Sequence, residues 1–145
     1  MPVPENDSDN AGDDLVGITV LDVDDCKALL GSTPIGRVAF VLNGHLAVYP
    51  VNYQWVDDTV VFRTISGEKL SAAKQFSDVA FEVDEWDIRS RTGWSVLVRG
   101  VAEPVTEWAE VEQLEQIGLV PWAHEEWRRQ WVRIVPSEIT GRRVP

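Results

Sequence analysis

The dipeptide Asn43-Gly44 constrains this chain more than any other pair of residues. It lies between Ile35–Leu42 and His45–Tyr53, two runs rich in branched and aromatic side chains. Asn-Gly accepts the positive φ angles of a tight turn whose twist matches that of paired strands, so a β-hairpin is predicted here. Asp57-Asp58 predicts a further turn, and Thr59–Thr64 a third strand of an antiparallel meander. Pro50 falls inside the second strand. It has no N–H to give a ladder, so that strand must lie at a sheet edge or break there.

The rest of the chain fits around this meander. Asp22 or Asp24 can cap a helix that carries Leu29 and Leu30 and stops at Gly31. A second helix is predicted from Gly67 to Phe76 with Ser66 as its cap. Alternation of Val79, Phe81 and Val83 marks a strand over Asp78–Glu85. Trp86–Thr92 is polar and reads as a loop. Trp94–Val105 is the longest strand candidate, and Gly100 within it predicts a bend or bulge. Glu107–Ile117 is amphipathic, with Val111 and Leu114 inward and Gly118 as its stop. Trp131–Val135 is a last strand, and Pro136–Pro145 a finishing segment. About six strands, short helices and no strand–helix alternation predict a mainly β chain built as a small antiparallel barrel.

The 145 residues are enough for one domain. Residues 1–15 are acidic and almost free of large apolar groups, so they read as a disordered tail preceding a folded domain at 16–145. A formal net charge of −11 argues against a nucleic-acid partner. The late cluster Arg128, Arg129, Arg133, Arg142 and Arg143 reads as solvated or internally paired surface. Cys26 is alone, which excludes an internal disulfide and any multi-cysteine metal site. His45 and His124 have no ligand-spaced neighbours, so no metal is expected. No apolar run reaches the roughly 20 residues of a membrane span, and the expected location is the cytoplasm.

No dinucleotide fingerprint, phosphate loop or nucleophile elbow is present. Two arrangements remain. Arg63 and Thr64 end a strand, and Ser66-Gly67-Glu68-Lys69 opens a helix. A helix start with two cations suits an anion, although a strand end and a capped helix also occur together without one. Pro50-Val51-Asn52-Tyr53 presents an edge-like backbone that a flat heterocycle can pair with, or a plain bulge with a structural Asn. Most of the seven tryptophans read as core or interface, and one or two as flanks of a planar ligand.

Taken in order, Ile35-Gly36-Arg37-Val38-Ala39, Pro50-Val51-Asn52-Tyr53, Phe62-Arg63-Thr64 with Gly67-Glu68-Lys69-Leu70, Val79–Asp84, Gly93–Gly100 and Ile139–Arg143 resemble a known pattern. It is that of the pyridoxamine 5′-phosphate oxidase-like family of FMN-binding split β-barrels, especially its small actinobacterial-type members. The resemblance runs from about Leu21 to Arg143. It implies a six-stranded split barrel and a homodimer with FMN at the subunit interface. Val51, Asn52 and Tyr53 would border the isoalloxazine, and Phe62, Arg63 and Thr64 would line the ribityl-phosphate. Lys69 would pair with the phosphate, and Gly93, Trp94 and Ser95 would approach the flavin, from the neighbouring subunit. The implied activity is that of an FMN-dependent oxidoreductase acting on an unidentified small molecule. The residues that bind substrate in the true vitamin B6 oxidases are not found. The alternatives are a non-catalytic carrier or sensor of flavin, deazaflavin or haem, and a cofactor-free dimerisation domain. For haem, His45 and His124 are the only ligand candidates.

If Arg63 and Lys69 hold a phosphate, the double change Arg63→Ala with Lys69→Ala weakens FMN far more than riboflavin. Titration of both ligands checks this, because only FMN carries the phosphate; equal losses would refute the assignment.

Overall fold

The computed structural model describes residues 17–65, 77–119 and 129–145. The acidic N-terminal stretch, the helix predicted from Gly67 with its cap Ser66 and with Lys69, and also His124 and Arg128 lie outside the described residues. The chain runs β1 (Thr19–Leu21), α1 (Val23–Leu30), β2 (Ile35–Leu42), β3 (His45–Val56) and β4 (Thr59–Ile65). It continues through β5 (Ser77–Asp87), β6 (Thr92–Pro104), α2 (Trp108–Glu115) and β7 (Arg129–Val144).

The two predicted turns form as their residues dictate. Asn43 and Gly44 take φ of 51° and 78°, and Asp57 and Asp58 take 49° and 57°. These left-handed conformations close tight hairpins between β2 and β3 and between β3 and β4. Strands β2 to β7 form a ring in the order β7-β4-β3-β2-β5-β6, closed by pairing of β6 with β7. All pairings are antiparallel, so the expected six-stranded barrel is present, and β1 adds a short seventh strand along the end of β7. Closure pairs most strands on both sides and so leaves little sheet edge to invite aggregation.

Inside the ring, alternate residues of each strand meet. Val38, Tyr53, Val60, Phe62, Phe81, Val83, Val96, Val98, Val132 and Ile134 are buried together, and α1 adds Cys26 and Leu30. The helix is capped by the Asp22 carboxylate, which accepts from the Asp25 N–H at 2.8 Å. Tyr53 ties it to the barrel: its hydroxyl donates to the Leu30 carbonyl and shares a 2.8 Å hydrogen bond with Thr33. Burial, and after it the neighbouring Asp22 and Asp25 carboxylates, push the Cys26 thiol up, so it stays protonated. A second, outer cluster of Val61, Val105, Leu114 and Trp131 fixes α2 against β4 and β7.

Two sequence expectations need correction. The polar Trp86–Thr92 segment is not all loop: β5 runs to Asp87, β6 starts at Thr92, and only a short turn separates them. Cross-strand pairing with Gly93 holds Trp86 in the sheet despite its polar neighbours. The finishing segment after Pro136 is also strand, because β7 continues to Val144 between β6 and β1. Proline is tolerated there because the register shifts beside it: Arg99 faces Glu138 while Gly100 faces Pro136, leaving Ser137 as the extra residue of a bulge.

Gly100 is what lets the strands close at that bulge. A Cβ there would lie 2.2 Å from the Val135 carbonyl oxygen, a contact with backbone that cannot swing away. Gly100→Val is expected to cost about 2–4 kcal/mol through overpacking and ladder disruption, read as a lower urea midpoint.

On the outer face of β2 and β5, Arg37 lies 3.3 Å from Glu82 and 3.4 Å from Asp84. Burial of the Glu82 carboxyl, followed by the adjacent Asp84, outweighs Arg37 and raises its pKa from 4.5 to about 7. The folded chain therefore holds a proton between these values that the unfolded chain has lost. Stability falls as pH rises from 4.5 towards 7 on account of this group. Urea unfolding across that range should show the slope reduced in Glu82→Gln.

Candidate functional site

The barrel opens where β3 and β4 part. They pair only from Tyr53 to Val56 against Thr59 to Phe62. Before that point β3 pairs with β2 alone, over His45–Asn52, and beyond it β4 pairs with β7 alone, over Arg63–Ile65. No described strand adds to the other edge of His45–Asn52. Pro50 sits in this one-sided stretch, opposite Arg37. The edge placement inferred from its missing N–H is therefore what the structure shows, although the strand continues through it without a break.

Side-chain alternation divides the predicted residues between two faces. Tyr53 and Phe62 point into the barrel and are 2% and 4% exposed, so a ligand outside could meet them through backbone only. Val51 packs partly buried against the same core. Asn52 and Arg63 belong to the other face, each one position past the last β3–β4 pair. Thr64 continues β4 opposite Gln130. The meander thus gathers Val51, Asn52, Tyr53, Phe62, Arg63 and Thr64 around one opening.

Gly93, Trp94 and Ser95 lie elsewhere. They pair with the end of β7, opposite Val144, Arg143 and Arg142, whereas Arg63 pairs with Trp131 near its start. Those two places are roughly 35 Å apart along the strand, at ~3.3 Å per residue. Trp94 is buried in the barrel core. The Trp86 ring covers Gly93 so closely that a Cβ would come within 2.3 Å of it. This end of the barrel carries an open cleft of about 740 Å³, lined in part by Trp86, Ile88, Arg89, Gly93 and Arg143. Trp86 and Ile88 are exposed in it, at 53% and 90%.

The charge at the opening is shaped by Arg63 together with residues to which the sequence pattern assigned no site role. Arg63 lies 3.3 Å from the Glu115 carboxylate at the end of α2, and its guanidinium sits 4.9 Å from the centre of the Trp131 ring. The Trp131 indole N–H donates to the same Glu115 oxygen at 2.9 Å. Two further ion pairs, Arg133 with Glu103 and with Glu110, tie α2 to β6 and β7. Gln54 follows Tyr53 on the outer face, and its Oε1 is buried without a hydrogen-bond partner among the described residues. Only a three-dimensional arrangement brings α2 over Arg63, so no local signal marked Glu115; Gln54 had a weak one, as an amide beside the Asn52 edge.

These groups fit a flavin. An unpaired buried acceptor, a one-sided strand edge and a cation can take, respectively, a donor group, the rim of a flat ring system and a phosphate. Among the described residues no group of three or more metal-ligating side chains occurs, and no helix is long and apolar enough to cross a membrane.

Comparison with known proteins places the fold in a family. The family model described as pyridoxamine 5′-phosphate oxidase matches residues 22–143. An uncharacterised protein of Mycobacterium tuberculosis is 37% identical over 132 residues, covering 88% of this chain and 86% of its own length. Among solved structures, the FAD binding protein from Mycobacterium smegmatis superposes with a TM-score of 0.74 at 37% identity, covering 88% of this chain and 100% of that one. A conserved protein of unknown function from Corynebacterium diphtheriae gives 0.73 at 34% identity, covering 89% and 99%. The match spans nearly all of the described barrel, and the chain belongs to the pyridoxamine 5′-phosphate oxidase family of split β-barrels.

Proposed function

We propose that this protein is a flavin-dependent oxidoreductase that binds FMN, or the FMN portion of a larger flavin, and acts on a small molecule as a homodimer. The observation that carries the reading is the divergence of β3 and β4 at Asn52 and Arg63, which leaves a strand edge and a cation side by side. The similarity to an FAD binding protein at 37% identity supports flavin as the ligand class.

The flavin, when bound, supplies the electron-transfer chemistry, and the protein supplies binding, orientation and electrostatics. Backbone groups of Val51, Asn52 and Tyr53 would meet the ring system, and the Gln54 amide would gain the partner it lacks. Arg63, with Thr64 and Lys69, would hold the phosphate. Gly93, Trp94 and Ser95 pair with the opposite end of β7 from Arg63 and would serve a flavin other than the one held by Arg63 of the same chain. In a dimer they would approach the flavin held by another copy, bringing the cleft under Trp86 with them. Val41, Leu46 and Val48, exposed at 54%, 85% and 62% on the β2–β3 hairpin, offer apolar surface for such an association.

Purified protein should be yellow or take up added FMN to near one per chain, and sediment as a dimer. A nicotinamide donor should then bleach the flavin absorbance if the protein turns over. A colourless monomer that takes up neither FMN nor FAD would refute the reading, while stable flavin binding without reduction by any donor would favour a carrier.

A further inference from the structure

Resting on the reading of Arg63 as the phosphate ligand, we propose that the Glu115 carboxylate occupies the place the flavin phosphate takes, and that the Trp131 indole N–H is a second donor to that phosphate. Glu115 is thereby a specificity residue: it sets which anions can use the site.

One oxygen of Glu115 receives both the Arg63 guanidinium, at 3.3 Å, and the Trp131 N–H, at 2.9 Å. A cation and a buried indole N–H converging on a single anionic oxygen form an anion site already built and held by a side chain. Trp131 is 3% exposed and fixed in the outer core with Val61, Val105 and Leu114, and the Arg63 side chain is 15% exposed. The donors are thus rigid and dry. The acceptor is not: the Glu115 side chain is 47% exposed, at the last residue of a short helix. A carboxylate there faces the negative end of the helix dipole, and the last turn has no basic residue to offset it. An ion pair with one half-exposed member is weak and readily exchanged.

An incoming anion must satisfy both donors, because a buried indole N–H left without an acceptor is costly. A phosphate monoester has the oxygens and the charge to replace the carboxylate on both. Riboflavin has neither, so it would leave Glu115 in place. Displaced, the carboxylate remains near the phosphate and repels it, which keeps affinity below what Arg63 alone would give.

The test compares flavin-free wild type with Glu115→Gln, which keeps an oxygen acceptor and removes the charge. FMN and riboflavin are titrated by flavin fluorescence, and the Trp131 indole N–H is followed by NMR, assigned through Trp131→Phe. The variant should bind FMN on the order of tenfold more tightly, as one like charge removed a few ångströms from a phosphate implies. Riboflavin should change less than twofold, and FMN, but not riboflavin, should shift the Trp131 N–H resonance. Weaker FMN binding in the variant, equal changes for both ligands, or an indole signal indifferent to FMN would overturn the proposal while leaving the phosphate at Arg63. An FMN-to-riboflavin preference unchanged in Arg63→Ala would remove the phosphate reading itself, and this proposal with it.

Discussion

The ring depends on β7. Among the described strands it alone pairs with three others, holding β4 along its start, β6 along most of its length and β1 at its end. Sixteen residues cannot follow so tight a curve as a flat strand, and the bulge at Ser137 opposite Arg99 and Gly100 supplies the bend. Because β7 takes β4 as its neighbour, β4 is drawn away from β3 once their short shared ladder ends. The opening at Asn52 and Arg63 is a consequence of barrel closure, and no loop is needed to make it.

That opening places unlike surfaces next to each other. The inner faces of β3 and β4 contribute Tyr53 and Phe62 to the core, where Tyr53 also anchors α1. Their outer faces meet α2, whose Leu114 buries against Val61 and Trp131 while its last residue reaches Arg63. The same helix that completes the outer core therefore sets the charge at the opening. Arg133 with Glu110 holds it from the other side.

Much of this was legible in the chain. Asn43-Gly44 and Asp57-Asp58 specify their turns because few residues accept positive φ at both central positions. Pro50 marked the one-sided strand, and Gly100 the bulge, each from a local steric rule. The errors came where tertiary pairing overrides local composition. Polar Trp86–Asp87 is strand because Gly93 and Thr92 pair with it, and Pro136–Val144 is strand because β6 and β1 flank it. That the ends of β3 and β4 bearing Val51–Tyr53 and Phe62–Thr64 lie side by side follows from the meander, whereas the placing of Glu115 over Arg63 had no local signal.

By itself the sequence determined the mainly β character, the hairpins, the capped first helix and the edge position of the strand through Pro50. These follow from backbone sterics and side-chain periodicity, which act over a few residues. Only the tertiary structure decided how the ring closes, where it opens, and which anion faces Arg63. Those depend on contacts between residues far apart in the chain, such as Arg63 with Glu115, and on two faces of one strand being buried against different partners. No local rule carries that information, because the partner of a charged side chain is set by which elements pack over it.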